Sequence, residues 1–417
     1  MTKDELKKIL FNIRKIIIYR NIFNDDAVKK FIKIIDTLCQ DKPQEEAIYE
    51  LYGDLYDILT KYAIKNAVYK NLWRSKINEL IKEDENIFSL LSEKYGSEYI
   101  EKSLKITVMS ELSVIKELAD TDLKEVIKDV LSIEIPSWES IVGGICHENN
   151  IDILNYKTVK EISDYYSTNG CGLFNKYKAF RWNNGELAGI DNPDPILFDD
   201  LIGYEEEQKI VIDNTEAFIR GLPASNILLY GDRGTGKSST VKATLNMFSE
   251  RGLRLIEVTR EDVMELNKII STISRRGLKF ILFLDDLSFE ENETEYKILK
   301  STLEGGIEKL PDNIIIYATS NKRHMVREYL DDSEQNELHL RDTKEEKLSL
   351  SDRFGITITF TSPDQEKYLR IVESLAKKYN IDVDLHTLRE KSLRWCTWHN
   401  GRSPRSARQF IDYMRSH

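Results

Sequence analysis

Ile227-Leu-Leu-Tyr-Gly231-Asp232-Arg233-Gly234-Thr235-Gly236-Lys237-Ser238-Ser239 is the stretch from which the rest of the chain can be read. Its first four residues form a short apolar strand, its glycines a turn, and a helix is expected to begin near Lys237. Gly231, Gly234 and Gly236 permit positive φ and close backbone approach, so successive N–H groups can wrap an oxyanion at the positive end of the following helix. The spacing G-x-x-x-x-G-K-S adds a lysine that can reach the outer phosphates of a nucleoside triphosphate and a serine, Ser238, that can ligate magnesium. A glycine turn that merely caps a strand does not require Lys-Ser at those positions. Gly231 to Ser239 is therefore the expected nucleotide-binding loop.

A phosphate cradle needs a second acidic strand to hold its metal. Lys279-Phe-Ile-Leu-Phe-Leu-Asp285-Asp286 supplies one: an unbroken apolar run, as expected of a strand buried on both faces, ending in two carboxylates. Asp285 is the expected magnesium ligand, usually through water, and Asp286 stands where a carboxylate can polarise an attacking water. The bland alternative is a solvated strand end. Strand and helix signals alternate from Asn226 to Phe360, which predicts a parallel sheet with helices on both faces and the nucleotide at the carboxyl ends of the strands.

These motifs resemble the AAA+ superfamily, and within it the bacterial ATP-binding proteins grouped as domain of unknown function 815, over roughly Leu197 to the C-terminus. The resemblance implies an AAA+ P-loop sheet followed by a C-terminal helical lid, with ATP or ADP and Mg2+ as cofactors. Asp200-Leu-Ile-Gly-Tyr204 looks like the segment that covers the adenine, with Ile202, Gly203 and Tyr204 as contacts. Ala318-Thr-Ser-Asn321 matches the sensor 1 segment, in which Asn321 would orient the lytic water. Leu350-Ser-Asp-Arg353-Phe354 looks like an arginine-finger segment, so Arg353 would act on the γ-phosphate of a neighbouring subunit in a homo-oligomer. Ser362-Pro-Asp-Gln365 reads as the start of the lid, with a cap, a proline at the first helical position and a capping-box glutamine. Arg405 best matches the sensor 2 arginine, with Arg402 and Arg408 as substitutes and a solvated basic turn as the alternative. One departure stands out: Asp286 occupies a position where the superfamily usually has Glu, one methylene longer, and Glu290 is a second candidate carboxylate.

Upstream, Thr2 and Glu5 fit a capping box, and Leu6, Ile9, Leu10, Ile13, Ile16 and Ile17 recur at helical steps. Helical patterns continue to about Ile135. Between Trp138 and Pro195 the composition shifts toward Gly, Asn and aromatics, and Asn184-Gly185 is a hairpin signal. The expected organisation is a mainly α-helical N-terminal domain (1–137), a mixed connecting module with a hairpin (138–195), an α/β nucleotide-binding core (196–361) and the lid (362–417). Asp331 to Lys347 reads as a charged surface loop, Lys322, Arg323 and His324 as solvent-facing, and Trp395 with Trp398 as core spacing on a lid helix.

The 417 residues carry 60 Lys+Arg against 71 Asp+Glu, a formal charge of −11, which suits a soluble globular protein and does not point to nucleic acid. No apolar run is long enough to span a membrane and the charged start does not suit a signal peptide, so no membrane partner and a cytoplasmic location are expected. Cys39, Cys146, Cys171 and Cys396 have no paired spacing, so neither a disulfide framework nor a zinc site is suggested. The leading expectation is a magnesium-dependent ATPase that couples nucleotide state to an unknown protein client. The alternatives are a nucleotide-gated scaffold or switch with little turnover, and a DNA-associated loader or remodeller.

Overall fold

A computed structural model describes residues 1–66, 68, 71–135, 151–287, 294–304, 309–321, 353–399 and 401–416. Glu290, Cys146, residues 322–324, the 331–347 segment and Leu350 to Asp352 lie outside these. The chain divides into two compact units, Met1–Lys176 and Tyr177–His417.

The first unit is helical: α1 (Lys3–Ile13), α2 (Asp26–Leu38), α3 (Glu45–Asn66), α4 (Leu72–Glu83), α5 (Ile87–Tyr95), α6 (Lys102–Ala119), α7 (Leu123–Leu131), α8 (Val159–Asn169) and α9 (Leu173–Lys176). The capping box at Thr2 and Glu5 is present, and Leu6, Ile9, Leu10 and Ile13 line the buried side of α1. The helix stops there; Ile16 is buried beyond it, whereas Ile17 is 75% exposed. The turn that follows is held by Glu111 on α6, a buried carboxylate whose oxygens accept from the backbone N–H groups of Ile17, Ile18 and Tyr19 at 2.8 to 3.2 Å. Phe31 and Trp73 stack in the same core with centroids 3.9 Å apart. No helix among the described residues is long and apolar enough to cross a membrane.

The second unit is built on seven strands: β1 (Ala179–Asn183), β2 (Glu186–Gly189), β3 (Ile227–Gly231), β4 (Leu253–Glu257), β5 (Lys279–Leu284), β6 (Ile314–Ser320) and β7 (Ile356–Phe360). They run in the order β2-β1-β4-β5-β6-β3-β7, parallel except for the β1–β2 hairpin. Asn184 and Gly185, both at positive φ, make the hairpin turn the dipeptide predicts. The connecting module expected over 138–195 is divided. Its 151–176 part belongs to the helical unit, and its hairpin extends the sheet, because β1 pairs in parallel with the otherwise open edge of β4.

Helices α10 (Glu205–Ile219) and α11 (Lys237–Phe248) pack on one face, where Val211, Phe218, Val241 and Leu245 meet Ile227, Leu229, Ile281 and Tyr317. The intervening strand residues, among them Leu228, Leu282 and Ile316, are buried as well. Both sets have to be covered, which is why these strands read as continuous apolar runs. Two further helices, α12 (Leu266–Ile273) and α13 (Thr294–Glu304), bury Leu266, Ile269, Ile273 and Leu299.

The lid is α14 (Gln365–Lys378), α15 (Leu385–Trp398) and α16 (Pro404–Ser416), gathered around Tyr368, Ile371, Leu388, Phe410 and Ile411. Its first cap differs from the expectation. Asp364, not Ser362, accepts from Lys367 N at 2.8 Å, and Pro363 precedes the cap, since the carboxylate is one residue from the first helical turn. Trp395 packs into the lid core, but Trp398, the last residue of its helix, is 79% exposed.

Candidate nucleotide site

Strand register brings the site together. Leu284 is level with Ala318, Tyr230 with Ser320, and Gly231 with Phe360, so the residues that leave β3, β5, β6 and β7 emerge side by side at one edge of the sheet. There a cavity of about 810 Å³ opens between the sheet, the loop before α11 and the lid, within the range usual for small-molecule sites. Arg233 through Ser239 border it, as do Asp285, Asp286 and Asn321.

Each loop glycine has a different constraint. Gly231 (φ +135°) lies so close to β7 that a Cβ would stand 2.0 Å from Phe360 O. Gly234 (φ +76°) faces Ser403 and Arg405 of the lid, and Gly236 (φ +98°) faces open space at the start of α11. Lys237 is 6% exposed, and its ammonium donates to Gly231 O (3.0 Å), Asp232 O (2.7 Å) and Asn321 Oδ1 (3.1 Å). Burial pulls this ammonium below the usual lysine value, against the opposing pull of the carboxylates of Asp286, Asp232 and Asp285.

The acidic pair is held by its neighbours. Ser238 Oγ and Thr319 Oγ1 both donate to Asp285 Oδ1, each at 2.6 Å. The same Thr319 oxygen accepts from Asp286 N at 2.8 Å, and Asn321 Nδ2 donates to Asp286 Oδ1. Asp286 is held at φ +52°, a left-handed conformation that Asp adopts more readily than most residues and that often marks a functional position. Asn321 thereby bridges Lys237 and Asp286.

Pro195, Ile196, Leu201, Ile202, Ile371 and Leu375 also border the cavity, together with Asp194, Asp200 and Gln208. Tyr204 borders it too, but its ring is committed to the core. It stacks on Phe360 (5.3 Å), lies 3.8 Å below the Lys367 ammonium, and its hydroxyl donates to Thr361 O at 2.6 Å. Gly203 does not border the cavity; its N–H donates to Glu205 and its Cα faces Ile371. Of the three arginines around α16, Arg405 and Arg408 border the cavity and Arg402 does not. Arg405 N donates to Gly234 O (3.2 Å), while the Arg408 guanidinium pairs with Asp412 and lies over Tyr379. Arg353 stands apart, exposed and paired with Glu304 at 3.1 Å. Asp232 is likewise off the cavity wall.

Thr319 and the 194–196 segment are contributors that motif reading passed over. A threonine inside an apolar strand reads as a β-branched filler, and only the pairing of β5 with β6 brings it the Asp285 carboxylate and the Asp286 N–H. Asp194 and Ile196 are tied to the helix of the phosphate loop by Asn246, which donates to both carbonyls.

Two point variants of RuvB from Thermotoga maritima are each 18% identical to this chain and cover 53% of it, with TM-scores of 0.37 and 0.36. This chain spans 65% of the length of each, less than two thirds. A third structure, described as the Thermotoga maritima RuvB Holliday junction branch migration motor, is 14% identical over 52% of this chain and 72% of its own, with a TM-score of 0.33. A comparison with curated proteins finds no match. The sequence model of the family described as "Protein of unknown function (DUF815)" matches residues 175–417, more than half of the chain. With the model covering its glycine-rich loop, its mainly parallel sheet and its C-terminal helices, this chain belongs to the DUF815 family.

Proposed function

We propose that the protein binds ATP with magnesium in this cavity and hydrolyses it to ADP and phosphate, coupling nucleotide state to a protein client. The observation that carries this reading is the convergence of three paired groups on one sheet edge: Lys237 on the loop carbonyls, Ser238 with Asp285, and Asn321 with Asp286. The Lys237 ammonium is already surrounded by oxygen acceptors, and phosphate oxygens would replace them with anionic ones, strengthening each bond. Ser238 and Asp285 offer a hydroxyl and a carboxylate, the hard oxygen donors that magnesium takes. Magnesium held there would neutralise charge between the outer phosphates. Asp286 is the base that accepts a hydrogen bond from the attacking water, with Asn321 fixing its orientation. Arg405 extends from the lid toward the same cavity and supplies positive charge there.

Arg353 supports a shared site, because it is exposed and does not border the cavity of its own chain. Acting on phosphate from there, it would serve a neighbouring copy, so a head-to-tail oligomer is part of the proposal. Phosphate release measured across protein concentration tests this with Asp286→Asn and Arg353→Ala. Specific activity should rise with concentration and fall at least about a hundredfold in both variants. Saturable ATP binding without phosphate release at any concentration would replace the ATPase by a nucleotide-gated switch.

A further inference from the structure

A carboxylate in a phosphate loop is an electrostatic liability, since it faces the polyphosphate with like charge. Asp232 avoids that conflict by turning away from the cavity. Its Oδ2 accepts from Ser362 N at 2.7 Å, in the short linker between β7 and α14. Hydrogen bonding from the Ser362 hydroxyl, and then from its N–H, holds the carboxyl below the usual carboxylate range. The backbone of Asp232 is engaged at both ends. Its N–H donates to Phe360 O at 2.9 Å, and its carbonyl accepts from Lys237 Nζ at 2.7 Å and Thr235 Oγ1 at 2.8 Å.

Two residues further along the loop, Gly234 O accepts from Arg405 N, at the start of the last lid helix. The loop therefore grips the lid at two points: Asp232 at the linker before its first helix, and Gly234 at the beginning of its third. Lys237, the residue a phosphate would draw away, is bonded directly to the Asp232 carbonyl.

We propose that Asp232 is a positioning residue that pins the lid linker to the phosphate loop, so that a phosphate captured by Lys237 shifts Asp232 and, through Ser362, the lid. The inference rests on the nucleotide reading of the same loop, but the pin itself can be tested without nucleotide. Asp232→Asn and Asp232→Ala both remove the charge, and only Asn keeps an oxygen acceptor for Ser362 N–H. Amide hydrogen exchange of the full-length protein, followed at Ser362 and Arg405, reads the two grips separately.

Without nucleotide, Asp232→Ala should speed exchange at Ser362 about ten- to a hundredfold, while Asp232→Asn stays within severalfold of wild type. On adding MgATP, both amides should change rate in wild type and in Asp232→Asn, and only Arg405 should respond in Asp232→Ala. Equal acceleration in Asn and Ala variants, or a Ser362 amide that still responds to MgATP in Asp232→Ala, overturns the proposal. So does a wild-type Ser362 amide that ignores MgATP while calorimetry shows the nucleotide bound. Absence of calorimetric binding in wild type would refute the nucleotide reading instead, and the nucleotide-free comparison would still decide whether Asp232 pins the linker.

Discussion

Replacing Thr319 by valine keeps the shape of a residue that is 2% exposed and removes a single oxygen. That oxygen donates to Asp285 Oδ1 and accepts from Asp286 N. Loss of the charge-assisted bond costs about 1.5 to 3 kcal/mol, and an amide left without an acceptor adds roughly 1 to 3. Water can reach Asp286, which lies at the exposed end of the strand, so the expected loss in urea unfolding is about 2 to 4 kcal/mol. The effect on chemistry is separate. The bond to Thr319 helps to hold Asp286 at its positive φ, and a misplacement of about 1 Å at a catalytic group can lower turnover on the order of 10²-fold. ATP affinity should fall less than about tenfold, because Lys237 does not depend on Thr319. Thr319→Ser keeps the hydroxyl and loses one methyl group, about 0.8 kcal/mol, so its turnover should return to within severalfold of wild type. Wild-type stability and turnover in Thr319→Val, or equal losses in the valine and serine variants, would show that the Thr319 hydroxyl does not hold the acidic pair.

Other residues give sharp expectations. Gly231→Ala places a Cβ 2.0 Å from a backbone oxygen at a φ of +135°, so it should cost about 3 kcal/mol or more; thermal unfolding within a degree of wild type would contradict the close β3–β7 approach. Glu111→Ala strips three backbone amides of their acceptor and should destabilise the helical unit by about 3 kcal/mol, seen as faster exchange at Ile17, Ile18 and Tyr19. For Lys237 the sign follows from burial, which lowers its pKa in the free protein, whereas a bound polyphosphate raises it. Binding should thus take up protons between the two values, and affinity should weaken by up to about tenfold per pH unit within that window. Calorimetry in alkaline buffers of different ionisation heat measures the proton count, and proton release on binding would contradict the assignment.

The parts of the site that are local in sequence were legible from it. Gly231 to Ser238 is one turn between a strand and a helix, and Asp285 follows an apolar run whose burial on both faces removes any alternation. Parts that depend on partners distant in the chain were not. Thr319 acquires its function from a neighbouring strand, and the Asp232–Ser362 bond joins residues 130 positions apart. The hairpin at Asn184-Gly185 announced itself, but nothing in its composition says that β1 would extend the sheet beside β4. The resemblance offers Tyr204 as an adenine contact; the residue borders the cavity, but its packing on Phe360 and beside the Lys367 ammonium depends on partners more than 150 positions away. Pro363 resembles a residue of the first helical turn until Asp364 is seen to accept the Lys367 amide.

Titration calorimetry of the full chain with ATP and magnesium, beside Lys237→Ala, decides whether this loop holds a triphosphate. Lys237 is the group on which the loop carbonyls and Asn321 converge. Saturable heat in wild type, with affinity at least about a hundredfold weaker in the variant, is the predicted result. No heat in wild type, or an affinity that survives removal of the ammonium, would contradict it.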